Sequence, residues 1–158
     1  MKIALVNLLV TLLFSTSYFY LAYKVMKNFF EKISRPLSHA SQILLSCSLL
    51  GFGIVFYNVT DISTNAFQFF ALKSQISKGF TYSFLFTFLG FLSSFIFFHI
   101  SRFLVKTVTM ENEKAELARN NYHIAALHST LYILFCLILS SPLASVINNL
   151  ISYPKFPN

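Results

Sequence analysis

The sequence has no tryptophan, only four glycines and four prolines, and only five acidic residues in 158. Little glycine and proline argues against a collagen-like repeat or a low-complexity chain. Two cysteines, Cys47 and Cys136, with no CxxC or Cys/His ligand spacing, give neither a disulfide framework nor a zinc pattern. Both fall inside apolar runs, where a thiol packs as a small hydrophobe. No Walker loop, HExxH, GxSxG or kinase motif occurs, and the Ser and His residues are scattered without nucleophile–base spacing. The chain therefore reads as no enzyme. Charged residues are scarce too, at 11% against roughly 25% in soluble domains.

What is present is apolar. Hydrophobic residues make up 56% of the chain, twenty of them phenylalanine. One domain of this length has no interior large enough to hide that surface, so lipid is the simpler solvent. Four runs carry it: Ile3 to Tyr23, about Ala40 to Tyr57, Gly79 to Val105 and Tyr122 to Ile151. At about 1.5 Å per residue the first spans roughly 30 Å, the thickness of a bilayer core. The expected fold is an all-α membrane protein of four transmembrane helices, with Pro142 kinking the last helix or ending it early. Residues 58–78 form an outer connection in which Ile62, Ala66, Phe69, Phe70 and Ile76 share one face at helical spacing. That pattern predicts a short amphipathic helix on the membrane surface, with a plain loop as the alternative.

The net charge of +7 sits at the ends of the apolar runs and not on one polar face, which speaks for membrane orientation and against nucleic acid. The connections after helices one and three hold Lys24, Lys27, Lys32, Arg35, Arg102, Lys106, Lys114 and Arg119; the opposite side holds Lys2, Lys73, Lys78 and Lys155. The positive-inside rule then puts both termini outside the cytoplasm. On the third run Ser83, Thr87, Gly90, Ser94 and Ser101 recur at helical spacing, a small-residue face of the kind that lets helix backbones approach closely in lipid. Gly51 and Cys47 join that packing set from the second run.

All four histidines fall toward the cytoplasmic side. His39 and His123, with Arg35 and Arg119, read as headgroup or interface residues, and the arginines can pair with Glu31 and Glu116. His99 and His128 are candidates for a polar path or a ligand. Imidazoles on facing helices can hold haem or a metal, but no spacing signature supports either, so no cofactor and no metal are expected. No acidic residue falls at mid-membrane, which argues against a carboxylate proton relay and leaves open an oligomeric channel lined by hydroxyls.

Residues 31–54 and 116–138 look alike. Arg35 and His39 are four apart, as are Arg119 and His123, and the copies are offset by 84 residues. The chain reads as a duplicated two-helix hairpin, with units of about 1–57 and 79–151 joined by 58–78. The same segments carry a family resemblance. His39-Ala40-Ser41, continuing through Ser46, Ser48, Leu49, Leu50, Gly51 and Phe52, and more loosely Glu116 and Ile124-Ala125-Ala126, resemble the YjfL-like bacterial inner-membrane family, a domain of unknown function. Its members look like tandem two-helix units in which an alanine pair opens a helix. Asparagine usually precedes that pair; here Ser38-His39 and Tyr122-His123 stand there, with Asn120 and Asn121 displaced. The resemblance implies topology and a bacterial inner membrane, and no chemistry.

The functional expectation is a non-enzymatic structural or interaction subunit, partnered by the bilayer and by itself or other membrane subunits. A small oligomeric channel or transporter is the alternative, and a haem-binding membrane subunit stands third.

Overall fold

The computed structural model describes residues 2–33 and 36–150. They form five helices: α1 (Lys2–Glu31), α2 (His39–Leu72), α3 (Ile76–Thr109), α4 (Glu113–Ala118) and α5 (Tyr122–Leu150). Among the described residues there is no strand, and four helices, α1, α2, α3 and α5, are long and apolar enough to cross a membrane. The protein is an all-α, multi-pass membrane protein. In a bilayer a helix satisfies every backbone N–H and C=O within itself, so apolar length alone makes these segments helical.

The chain runs up and down. Tyr18, Phe52 and Phe91 meet ring to ring, and Tyr132 joins them through Phe52, so residues near the middle of each long helix lie at one level. The α1–α2 and α3–α4–α5 connections share one end of the bundle, and the α2–α3 turn lies at the other. Central to the packing is α2, which contacts each of the other long helices.

Residues 58–72 do not form a separate surface helix. They continue α2, whose 34 residues, at about 1.5 Å each, reach about 50 Å and outrun the hydrocarbon layer. The face holding Ile62, Ala66 and Phe69 is buried, and beside it Ser63 and Ser83 exchange hydroxyl-to-carbonyl hydrogen bonds of 3.3 and 2.9 Å between α2 and α3. An apolar stripe has the same sequence pattern whether it meets lipid headgroups or another helix. The turn comes only at Lys73–Gln75, with Ser74 in the left-handed region at φ 58°. Ile76 opens α3 and is exposed. Pro142 does not end α5, which continues to Leu150.

The small residues sit where helices come closest. A Cβ at Gly51 would overlap the ring of Tyr132 on α5, and one at Gly90 would lie 3.1 Å from Val59 Cγ2 on α2. Ser94 is fully buried, and its hydroxyl meets that of Tyr18 at 3.1 Å; Tyr18 also reaches the Phe52 carbonyl at 3.2 Å. Asn58 Nδ2 donates to Ser140 Oγ at 3.0 Å and ties α2 to α5.

Candidate functional site

At the end of the bundle that holds the α3–α4–α5 connection, the chain turns a charged segment inward. Met110 ends α3 in the left-handed region at φ 56°, its N–H bonded to the Lys106 carbonyl. Three residues later α4 starts at Glu113, and Asn120, at φ 66°, follows its C-cap Arg119. Two non-glycine residues in a conformation that disfavours side chains bracket this short helix, and the bend places its first side chain inside the protein.

Glu113 is only 4% exposed and divides its carboxylate between two helices. Its Oε2 accepts from Arg102 Nε on α3 at 2.6 Å, and its Oε1 meets His128 Nδ1 on α5 at 2.5 Å. His128 is fully buried, and its Nε2 faces the Phe98 carbonyl at 3.3 Å while its ring lies 4.6 Å from that of Phe98. Both ring nitrogens are thus occupied, one by the Glu113 carboxylate and the other by the Phe98 carbonyl. Neither is free to ligate a metal in this arrangement. The Arg102 guanidinium lies over the Phe29 ring of α1 at 5.3 Å, so four helices meet here.

The same end is closed by a second set of polar contacts. Ser38 caps α2 by accepting from the Ser41 N–H at 3.1 Å and donates to the Leu117 carbonyl of α4 at 2.6 Å. Asn120 Oδ1 accepts from the Ala40 N–H at 2.9 Å. Asn121 Oδ1 accepts from the N–H groups of His123 and Ile124 and so caps α5, while its Nδ2 donates to Glu116. Side chains from the α4–α5 corner therefore satisfy first-turn amides of both α2 and α5, groups that a helix cannot satisfy itself.

This pairing of two helix starts through one asparagine-bearing corner covers the segments that carried the resemblance. The sequence matches the model of the family described as Domain of Unknown Function (DUF350) over residues 2–143. The chain belongs to that family. Among curated proteins and among solved structures, none matches.

In this DUF350 protein the remaining predicted residues are placed as follows. His99 is exposed, one turn before Arg102, with its ring 4.5 Å from that of Phe95. His39, His123 and Arg119 are exposed at the same end, and Arg119 pairs with Glu116 at 3.0 Å. Arg35 lies outside the described residues. Ser83, Gly90 and Ser94 are buried, and Thr87 is half-buried with its hydroxyl bonded to the Ser83 carbonyl. Gly51 is buried and Cys47 half-buried. His99 and His128 are both near Phe98 but do different things: one lines a cleft and the other is locked inside.

Sequence reasoning passed over Glu113. One signal was available. His128 falls inside the last apolar run, a buried histidine needs a partner, and the preceding connection holds Glu111, Glu113 and Glu116.

Proposed function

We propose that this protein is a non-enzymatic subunit that works in assembly, with copies of itself or with other membrane proteins, in a bacterial inner membrane. In this reading its termini lie outside and the charged end faces the cytoplasm. The observation that carries it is the Arg102–Glu113–His128 cluster. It holds a polar connection in one fixed shape at the bilayer surface, and a preorganised surface binds a partner without first losing conformational freedom. The small-residue face of α3 is not the assembly surface in this reading, because Ser83, Gly90 and Ser94 are spent on contacts within the protomer.

The test is gentle extraction into lipid nanodiscs followed by mass determination of the intact particle. A fixed ratio of copies, or of this chain to other polypeptides, is expected. A lone monomer at every lipid and detergent ratio would refute the assembly.

A second reading, an oligomeric channel or transporter, has one observation in its favour. Thr11, Thr60, Thr64 and Thr87 line a narrow notch between α1, α2 and α3, toward the end opposite the charged cluster. If that notch conducts between protomers, Thr60→Val with Thr87→Val abolishes flux in liposomes; undiminished flux removes this path.

A further inference from the structure

We propose that the cleft beside the charged cluster binds the phosphate of an anionic membrane lipid. The cleft has a volume of about 530 Å³ and runs between α3 and α4, lined by His99, Arg102, Phe103, Lys106, Glu111 and Lys114 among others. Arg102 is its fixed point. The Nε–H is held by buried Glu113, and among the described residues the two terminal nitrogens make no hydrogen bond. A guanidinium fastened at one edge presents its other donors in a set direction, and that planar fork matches phosphate oxygens.

Two further cations border the space. Lys106 lies one helical turn beyond Arg102, and Lys114 faces it from α4. Both are exposed, and among the described residues neither has a carboxylate within ion-pair distance. With Glu111 and Glu113 counted against the three cations and His99 neutral, one positive charge remains in excess. That balance suits a phosphodiester with one negative charge rather than a polyphosphate.

The apolar side of the cleft tells a lipid from a free anion. Ile96, Ile100 and Phe103 form an exposed ridge on one face of α3, at 55%, 41% and 66% exposure, and Phe103 also lines the cleft. An acyl chain lying on that ridge leads its headgroup to Arg102. Lysine and arginine clusters next to a membrane helix are where anionic headgroups collect.

The experiment releases the intact protein from nanodiscs of mixed phosphatidylglycerol and phosphatidylcholine and counts bound lipids by native mass spectrometry. Phosphatidylglycerol is expected to be retained over phosphatidylcholine. The double variant Lys106→Gln, Lys114→Gln, altering only exposed side chains, is expected to bind it about 25-fold more weakly, at about fivefold per cation. Arg119→Gln, at the same end but outside the cleft, is expected to bind as the unaltered protein does. Equal retention of the two lipids, undiminished binding by the double variant, or displacement of the lipid by millimolar inorganic phosphate would each overturn the assignment.

Discussion

Replacing Glu113 with leucine tests the charged cluster directly. The substitution removes the shared partner of two hydrogen bonds and leaves Arg102 Nε and His128 Nδ1 without it. Truncating one partner of a buried charge pair costs about 3–5 kcal/mol, because the remaining group keeps its desolvation cost and loses its counterpart. The two halves of that loss are unequal. Arg102 has 25% of its side chain exposed and can turn into the cleft and recover water, whereas His128 is at 0% and cannot. Double-mutant cycles separate them. The coupling of Glu113 to His128, measured with His128→Leu, should reach about 2 kcal/mol, and that to Arg102, measured with Arg102→Met, should stay below about 1 kcal/mol as for a partly solvated pair. The triple variant Arg102→Met, Glu113→Leu, His128→Leu should regain most of the stability lost by Glu113→Leu, since an apolar replacement of a buried triad is often neutral. The assay is reversible unfolding in lipid–detergent micelles. A loss under about 1 kcal/mol for Glu113→Leu, or a larger coupling to Arg102 than to His128, would refute the reasoning.

Two further predictions follow from the packing and the caps. Gly51→Ala drives a methyl into the buried Tyr132 ring and should cost about 1–3 kcal/mol, partly recovered by adding Tyr132→Leu; an unchanged melting temperature would show that α2 and α5 do not approach so closely. Ser38→Ala removes the α2 cap and the bond to Leu117, a loss of about 1 kcal/mol, and should speed hydrogen exchange at the Ser41 amide while sparing mid-helix amides such as that of Val55; equal exchange at Ser41 would contradict the cap.

The membrane helices were legible because crossing a bilayer demands apolar length, and few other constraints leave so plain a mark. The end of α2 was not, because Asp61, Asn65 and Gln68 interrupt the apolar run and look like an exit from the membrane. Two of these, Asp61 and Asn65, are exposed, and the buried set Ile62, Ala66 and Phe69 sustains the helix against its partners. Polarity on one face marks where a helix meets water, not where it stops. The site was illegible for a related reason. Glu113 sits among Lys106, Glu111, Lys114 and Glu116, all charged, and nothing in composition distinguishes the one that turns inward. Its burial depends on left-handed backbone at Met110 and Asn120, and neither residue is a glycine that would have announced a turn.

The bundle uses polarity in two ways, and the difference locates its working surface. Within the helices a few polar groups bond across, as in Ser63–Ser83, Tyr18–Ser94 and Asn58–Ser140, but other hydroxyls turn back only on their own backbone: Ser48 to Leu44, Thr60 to Phe56 and Ser101 to Phe98. Such groups need no partner on another helix and cost little in lipid, so they can be small where shape requires smallness. At the connection end bonding across elements becomes the rule. Arg102, Glu113, His128, Ser38 and Asn120 each bond across elements, and none is satisfied by its own helix alone. Apolar packing by itself would hold α1, α2, α3 and α5 together, but it gives no reason for α4 to fold against them, since that short helix offers only Leu117 to the core. The charged cluster supplies the reason. It spends buried charge to fix the shape of one corner at the membrane surface, and a corner fixed at that cost is where recognition, by lipid or by a neighbouring subunit, belongs.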